Sequence, residues 1–356
     1  MQEEIQQGRI RIKDIAEKAG VSVGTVDRVL HGRPNVSEKS RIKVEEVLKR
    51  IDYQPNMYAS ALASNKYYKF FCLFPQHKPG EYWTEVEKGV MRAQSKFNDF
   101  NISVEIFYYD PFDSQSFLKA AEQMQQREFD GVIINPTKVE VTSQFTEQLH
   151  EKEIPFVFID SNIPELHPLS FWAQNSQKSG YFAARMLKLL APNSEVGIFR
   201  QVVSGHVGSN QQLEREEGFL QYMKEHHKDT IIHTLELPAK NFGRQFDIMD
   251  KFFAEHKNMH CGICFNSKVF GIGEYLEKRH KKDFRLMGYD HLERNNECLR
   301  NGFVDFLIAQ HPWKQGYGSV QILIDYLILK KEVMRYNYVP IELLTAENIE
   351  FYNKTN

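Results

Sequence analysis

The chain has 356 residues, of which 42% are hydrophobic and 26% are charged, a composition typical of globular proteins and unlike that of disordered or fibrous chains. This length predicts at least two domains. No apolar run approaches the ~20 residues of a membrane helix, and residues 1–8 are polar, unlike a secretory signal, so we expect a cytoplasmic protein without a membrane partner.

The net charge of −2 is unevenly distributed along the chain. Residues 9–64 contain 11 Lys and Arg against 7 Asp and Glu, whereas residues 65–356 contain 34 against 38. A small basic module on a larger acidic body is the layout expected when only one part of a protein contacts nucleic acid.

Three short amphipathic helices are predicted in the basic module. The first has apolar residues at helical spacing and is ended by Gly20. Ser22 is a suitable N-cap for the second, and Ser37 for the third. The inward-facing residues are Ile12, Ile15, Ala16 and Ala19, then Val26, Val29 and Leu30, then Val44, Val47, Leu48 and Ile51. Two short helices joined by a glycine-containing turn form a helix-turn-helix, whose second helix enters the major groove.

The outward face of the second helix supplies the candidate base-reading residues. Arg28 can donate two hydrogen bonds to guanine. Asp27 can only accept, so it either takes a hydrogen bond from a cytosine amino group or orients Arg28. The remaining candidates on this face are Val23, Gly24 and Thr25.

A second short helix-capable segment, Met57 to Ser64, follows the helix-breaking residues 53–56. Two helical turns are marginal alone in water, so we expect this segment to be helical only when a partner stabilises it.

Residues 11 to 64 resemble the lactose/galactose repressor (LacI/GalR) family almost position by position, in the runs IKDIAEKAGVS, NVSEKSR and YQPN, the last followed by Ala59 and Leu62 at A-x-x-L spacing. The resemblance implies a homodimer on double-stranded operator DNA. It places Ser22, Asn35, Ser37 and Ser40 on phosphates, Asn56 and Ala59 in the minor groove, and Leu62 as a wedge in the central base step. The family usually has Ser where this chain has Asp27, and often Arg or Lys at Met57, so its operator sequences are not transferable.

After residue 65 the pattern alternates between apolar runs and helical stretches, which predicts parallel sheets with helices on both faces. About nine strands exceed one comfortable sheet, so we expect two lobes. The predicted strands include Phe70–Phe74, Val104–Tyr108, Gly131–Ile134, Phe156–Ile159, Val196–Phe199, Gly262–Phe265, Phe284–Met287 and Val304–Ile308. The predicted helices include Glu85–Phe97, Phe117–Gln126, Ser179–Leu190 and Leu213–His226.

Polar and aromatic residues follow the ends of these strands, where ligands of parallel sheets bind. They are Gln76, with Tyr82 and Trp83 in the loop beyond it, then Asn135, Asp160, Asn266, Asp290 and Gln310. Carboxylates and amides beside aromatic rings suit a sugar, which needs hydrogen bonds for its hydroxyls and flat faces for its C–H surface.

Residues 69 to 345 resemble the periplasmic sugar-binding proteins, and the ribose-binding branch in particular, in the runs VIINPT, EIPFVFID, EREEGF, MGYD and IAQ. The resemblance implies that Tyr82 and Trp83 stack on the ligand and that the amides and carboxylates bond its hydroxyls. It also implies a pocket arginine just before Glu214, where this chain has Leu213, so that Arg215 is the remaining candidate. Ser267 stands where an acid is common, and we therefore expect a small polar molecule of carbohydrate type.

Two other classes of protein fit the sequence less well. An enzyme would need a catalytic motif, and the chain contains no H-E-x-x-H, G-x-S-x-G or nucleotide fingerprint. A periplasmic receptor would need an export signal and no basic module.

The run GHVGS at residues 205–209 precedes a helix and is a weak phosphate-binding candidate. Cys261 and Cys264 spell C-x-x-C within an apparent strand, where they point to opposite faces and suit two packed thiols better than a metal.

The sequence thus predicts an all-α helix-turn-helix DNA-binding domain in residues 1–64, with a hinge helix at about 55–64. It is followed in residues 65–356 by an α/β two-lobed body of periplasmic-binding-protein type that binds an effector and dimerises. We expect a ligand-responsive transcription regulator with no catalytic residue, metal or cofactor.

Overall fold

The computed structural model describes residues 11–30, 33–51, 57–62, 64–203, 205–207, 209–239 and 242–352. The chain divides into two compact units, Met1–Ser64 and Asn65–Asn356.

The first unit is helical, with α1 (Ile12–Ala19), α2 (Val23–Leu30), α3 (Glu38–Arg50) and α4 (Met57–Leu62). Gly20 ends α1 with φ of 65°, a left-handed conformation that costs glycine little. The three predicted helices are confirmed, and their inward residues form one small core that comprises Ile15, Ala16, Ala19, Val26, Val44 and Val47. The amphipathic spacing was sufficient here because each helix has a single apolar face.

The second unit contains two six-stranded sheets, which confirms the predicted two-lobed α/β architecture. The first sheet, in lobe 1, has the order β11-β5-β4-β3-β1-β2, and the second, in lobe 2, has the order β12-β10-β9-β8-β6-β7. The lobe 1 strands are β1 (Tyr68–Pro75), β2 (Ile102–Tyr109), β3 (Gly131–Ile134), β4 (Phe156–Ile159), β5 (Ser170–Gln174) and β11 (Tyr336–Val339). The lobe 2 strands are β6 (Glu195–Val202), β7 (Ile232–Pro238), β8 (Met259–Ile263), β9 (Arg285–Tyr289), β10 (Phe306–Ala309) and β12 (Glu342–Leu344).

Helices cover both sheets. They are α5 (Tyr82–Lys96), α6 (Ser114–Gln125), α7 (Val139–Glu151), α8 (Ser176–Leu190), α9 (Asn210–His226), α10 (Phe242–Glu255), α11 (Phe270–Lys278), α12 (Glu293–Arg300) and α13 (Pro312–Leu327). Helix α8 packs on lobe 2, against α9 and β9, whereas α13 returns to lobe 1 and packs on α5, β4 and β5. No helix in the described part of the chain is both long and apolar enough to cross a membrane.

The chain therefore crosses between the lobes three times, after β5, after β10 and after β11. Gln174 lies at the first crossing, and its side-chain amide donates to Ala309 O at 2.8 Å and to Pro340 O at 2.9 Å. Those two carbonyls belong to the second and third crossings. One buried side chain thus connects all three crossover segments.

Four strands were not predicted, namely β5, β7, β11 and β12. Strands β7, β11 and β12 lie at the edges of the sheets, where the runs are less apolar, and β12 pairs with β10 antiparallel rather than parallel. Strand β5 is interrupted in pattern by half-buried Trp172.

Four predicted helices begin three residues earlier than their apolar periodicity indicated, at Tyr82, Ser114, Ser176 and Asn210. First turns that carry polar residues give no periodic signal. In particular, Tyr82 and Trp83 lie in the first turn of α5 and not in a loop, so that prediction was wrong.

Candidate ligand cleft and nucleic-acid interface

Three polar residues follow neighbouring strands at the carboxyl edges of the two sheets. Asp160 follows β4 in lobe 1, and Asp290 and Gln310 follow β9 and β10 in lobe 2. All three side chains are buried. Asp160 and Asp290 adopt φ of 69° and 77°, a left-handed conformation that aspartate tolerates better than most residues. Each backbone N–H still donates to a strand carbonyl, at Trp172 and Ile308 respectively, which holds the carboxylates in fixed positions.

Arg215 on α9 is the centre of the polar network in lobe 2. Its guanidinium donates to Phe265 O at 2.8 Å and to Gln310 Oε1 at 2.6 Å, and lies 3.9 Å from the centre of the Tyr289 ring. Gln310 in turn donates from Nε2 to Asp290 Oδ1 at 2.6 Å. The arginine is 1% exposed, so its charge acts through a medium with little water.

Two residues that the sequence reasoning missed join lobe 2 to lobe 1. Gln211 donates from Nε2 to Asp160 Oδ1 and to Gln310 Oε1, each at 2.9 Å. Asn210 donates from Nδ2 to Thr137 O at 3.0 Å. Gln211 lies four residues before Arg215 and thus on the same face of α9, which is the signal that could have identified it.

Glycines set the position of this helix. A Cβ on Gly180 of α8 would lie 1.8 Å from Arg215 O, and one on Gly218 of α9 would lie 1.9 Å from Gln177 O. The two helices therefore pack backbone to backbone, and α9 presents Arg215 inward. Leu213, where the resemblance led us to expect the pocket arginine, is 52% exposed. Arg215 is therefore the residue of this chain that takes the place of the expected arginine.

Burial dominates the acid–base properties of the carboxylates. It raises the pKa of Asp160, and it raises the pKa of Asp290 to about 7, in both cases against the opposing charge of Arg215. Burial and the charge of Asp160 raise the pKa of Tyr82, whose ring begins α5 beside that carboxylate. Near neutral pH Asp290 is therefore partly protonated, so it can donate as well as accept a hydrogen bond.

Several buried polar atoms near these strand ends have no hydrogen-bond partner among the described residues. They are Thr137 Oγ1, Asn162 Oδ1, Ser209 Oγ and Arg215 Nε. An unsatisfied buried donor or acceptor costs about 1–3 kcal/mol. Hydroxyl oxygens can both donate and accept, so this set can bond the hydroxyls of a ligand.

The structure gives the other predicted ligand residues different surroundings. Asn135 bonds within lobe 1, to the Tyr109 hydroxyl at 2.6 Å and to Ile159 O at 3.1 Å. Asn266 bonds to Gln212 at 3.2 Å. Trp83 is half-buried with its ring 5.1 Å from that of Phe74, and Gln76 is exposed. Of the predicted set, Arg215, Gln310 and Asp290 are joined by direct hydrogen bonds, and Asp160 is connected to them through Gln211.

Both members of the C-x-x-C run are buried free thiols, as predicted, and burial raises the pKa of Cys264 to about 12. No group of three or more His, Cys, Asp or Glu in the described residues could hold a metal ion. The predicted phosphate loop includes Gly208, which lies outside the described residues.

Helix α2 of the first unit presents the predicted base-reading face. Ser22 caps it, with Oγ accepting from the Thr25 N–H at 3.1 Å. Val23, Gly24 and Arg28 are exposed. Asp27 is half-buried and pairs with Arg33 at 3.0 Å. The sequence had not predicted this partner.

The predicted phosphate-contacting residues lie around the start of α3. Ser37 caps this helix by accepting from the Ser40 N–H at 3.2 Å, and the two hydroxyls are 2.8 Å apart. Asn35 is exposed with φ of 66°. Leu62 at the end of α4 is 53% exposed, Asn56 lies outside the described residues, and the side chain of Ala59 is likewise outside them.

Two family models match the chain. Residues 11–56 match the bacterial regulatory proteins of the lacI family, and residues 71–332 match the periplasmic binding protein domain. The chain belongs to the LacI family of bacterial regulators, with a periplasmic-binding-protein-like body.

Relatives of this LacI-family chain include proteins assigned as repressors. The "Probable HTH-type transcriptional repressor ExuR" of Bacillus subtilis is 26% identical over 61% of this chain and 61% of its own length. PurR of Klebsiella pneumoniae, also an HTH-type transcriptional repressor, is 25% identical over 90% of this chain and 91% of its own. A solved structure assigned to the LacI transcriptional regulators, from Bacteroides fragilis, is 51% identical, with a TM-score of 0.79 over 81% of this chain and all of that one.

Proposed function

We propose that this LacI-family protein is a repressor whose affinity for operator DNA is controlled by a small hydroxylated molecule, a sugar or sugar derivative, bound between the two lobes. The observation that carries the proposal is the continuous network from Asp160 through Gln211 and Gln310 to Asp290, with Arg215 at its centre. Carboxylates from both lobes meet in that network, so a ligand bonded to them would contact both lobes at once.

The ligand chemistry follows from the groups available. Two carboxylates, two glutamine amides and one guanidinium can bond several hydroxyls with fixed geometry. Unpartnered buried atoms such as Thr137 Oγ1 and Ser209 Oγ would gain partners from the same hydroxyls. Tyr82 and Trp83 supply aromatic surface at the start of α5. We include Asn135, Asn266 and Gln76 in the proposed site, on the condition that their present partners are exchanged on binding.

We assign DNA reading to residues 1–64 and dimerisation and effector binding to residues 65–356. In this proposal α2 lies in the major groove, and the exposed side chain of Arg28 reads a guanine. Residues 55–64 form the hinge helix, and two copies of it, one from each protomer of a homodimer, insert Leu62 into the minor groove. The phosphate contacts come from Ser22, Asn35, Ser37 and Ser40.

Control follows from two-state coupling between the lobes and the hinge helices. The ligand favours the lobe arrangement in which it contacts both carboxylates, and the two arrangements place the hinge segments of the dimer differently. The effector can shift the equilibrium only as far as its affinity differs between the two states. In this proposal the protein acts in the cytoplasm, without a cofactor and without catalysis.

The test combines DNA selection with ligand screening. The full-length protein is used to select binding sites from random duplexes, and retention of the selected site is then measured with and without neutral sugars, sugar acids and sugar phosphates. We expect a pseudo-palindromic site and at least one sugar that changes its retention. Selection of no sequence would overturn the regulator assignment, and turnover of a sugar without specific DNA retention would favour an enzyme.

A further inference from the structure

A cavity lies next to the network of Asp160 and Asp290, at the second crossing between the lobes. It has a volume of about 290 Å³. Its walls come from Glu85 and Lys88 of α5 and from Trp313 and Lys314 of α13 in lobe 1, and from the start of α12 in lobe 2. We call it the hinge pocket, because His311 of the crossing after β10 also lines it.

Two buried polar atoms in the walls of the hinge pocket have no hydrogen-bond partner among the described residues. Asn296 is 2% exposed, and its Nδ2 lies 3.3 Å from His291 Nε2 while its Oδ1 is unpaired. His311 is 5% exposed, and its Nε2 lies 3.0 Å from Glu342 Oε2 while its Nδ1 has no partner. A buried amide oxygen and a buried ring nitrogen without hydrogen-bond partners favour a ligand that can donate and accept hydrogen bonds.

The charges in the walls are balanced, because Glu85 and Glu293 face Lys88 and Lys314 in the lining. Glu85 pairs with Lys88 at 2.6 Å. Burial lowers the pKa of His291 and of His311, so both rings are neutral at neutral pH. The helices α12 and α13 begin here without side-chain caps, but the carboxylate of Glu293 already occupies the first turn of α12. This balance favours a neutral ligand over an anion or a cation.

Aromatic rings complete the walls. The Tyr352 ring lies 4.9 Å from the rings of both His291 and His311, and its hydroxyl accepts from the His311 N–H at 3.1 Å. Trp313 is half-buried at the entrance to α13. Flat rings beside amide and imidazole groups suit a molecule with C–H faces and hydroxyl edges.

We propose that the hinge pocket is a second ligand site, which binds a small neutral polyol such as a monosaccharide or alditol. Its walls belong to both lobes, and His291 and His311 directly follow Asp290 and Gln310 in the chain. Occupation of the hinge pocket therefore changes the affinity of the cleft for its own ligand, and the reverse change must follow by linkage. This regulatory consequence rests on the proposed function of the cleft, whereas binding in the hinge pocket does not.

The chain contains three tryptophans, which allows a local reporter. In the full-length protein with Trp83→Phe and Trp172→Phe, the remaining tryptophan is Trp313 in the wall of the hinge pocket. The probes are D-glucose, D-galactose, D-ribose and sorbitol, with gluconate as an anionic comparison. We expect at least one neutral probe to change the Trp313 emission saturably, and gluconate to do so more weakly.

Variants in the reporter background separate the two sites. Asp290→Asn should retain a saturable emission titration, shifted only by the linkage between the two sites, because that carboxylate belongs to the cleft. Asn296→Leu should weaken the titration at least about tenfold, because it removes the unpaired amide oxygen. Asn301→Leu, at the exposed far end of the same helix, is the matched control, and Lys314→Met serves as a second pocket variant if Asn296→Leu does not fold.

The proposal is overturned if no neutral probe changes the emission, if Asp290→Asn abolishes the change, or if both pocket variants titrate like the parent. Operator retention, measured on the same preparations, tests the proposed regulator function separately. A protein that retains its operator but shows no Trp313 response would contradict the hinge pocket alone.

Discussion

The side-chain amide of Gln211 donates a 2.9 Å hydrogen bond to the carboxylate of Asp160, which joins α9 of lobe 2 to the end of β4 in lobe 1. The same amide reaches Gln310, so the contact between the lobes is continuous with the network of Arg215 and Asp290. A ligand that enters the cleft must exchange partners with this group. Gln211 thus connects the two lobes by hydrogen bonds and is also a candidate ligand contact.

We expect Gln211→Ala to lower the free energy of unfolding by about 1–3 kcal/mol, because the buried Asp160 carboxylate loses a donor. Urea denaturation measures this change. In a double-mutant cycle with Asp160→Ala the two changes should couple by about 0.5–3 kcal/mol. Gln221→Ala, on the exposed part of the same helix, should change stability little. Additive effects of the two substitutions would contradict a direct interaction between Gln211 and Asp160.

Asp290 should make stability depend on pH. Its pKa is raised from the ordinary value of 3.8 to about 7, chiefly by burial. Between these values the folded chain holds a proton that the unfolded chain has lost, so this group's contribution to stability falls as the pH rises and is lost above about 7. The slope is at most about 1.4 kcal/mol per pH unit for one proton.

Asp290→Asn should therefore flatten the fall in melting temperature between pH ~5 and ~8. Asp283→Asn, an exposed change nearby in sequence, should leave the parent slope intact. An unchanged slope in Asp290→Asn would show that this carboxyl titrates in the folded protein as it does in water.

Gln174→Met should destabilise the connection between the lobes, because the carbonyls of Ala309 and Pro340 both lose their donor. We expect a loss of about 1–3 kcal/mol for each carbonyl that stays buried and unpaired. Stability is measured in urea, and hydrogen exchange of the segments at 309–311 and 339–341 locates the effect. Gln148→Met on the exposed face of α7 is the control. Protection that is unchanged at both segments would contradict the connecting role of Gln174.

Arg28→Ala should cost about 1–3 kcal/mol in binding at the selected operator and flatten the preference at one base pair in each half-site. The parent affinity should fall steeply with salt, because bound phosphates release counterions. Fluorescence anisotropy over a set of single-base variants measures both. Lys282→Ala in the acidic body is the control for loss of one positive charge. A uniform loss over all DNA sequences would identify Arg28 as a phosphate contact instead.

Leu62→Ala should reduce operator bending, because a methyl group is too small to separate two base pairs. Circular-permutation mobility of the complex measures the bend angle. Leu62→Met retains an apolar side chain of similar volume and should preserve most of the bend. Equal bends in all three proteins would exclude Leu62 as the wedge.

Regular local patterns were enough to predict much of this protein. Helices α1 to α3 were predicted from apolar spacing, because each has one buried face and a cap such as Ser37. The core strands of both lobes were predicted from continuous apolar runs, since parallel strands are covered on both faces. The LacI-family match of residues 11–56 rests on the same local signal.

The tertiary structure decided which polar residues meet. The sequence placed Asn135 and Asp160 alike, each directly after a buried strand, yet Asn135 is bonded within lobe 1 while Asp160 reaches across to Gln211. Arg215 and Leu213 lie two residues apart, and the rotation of α9 about its axis decides which of them faces inward. The close packing at Gly180 and Gly218 fixes that rotation. The three chain crossings, and the bonds of Gln174 that connect them, involve residues more than 130 positions apart in the chain. No local pattern encodes such contacts, because they depend on how two separately folded sheets face each other.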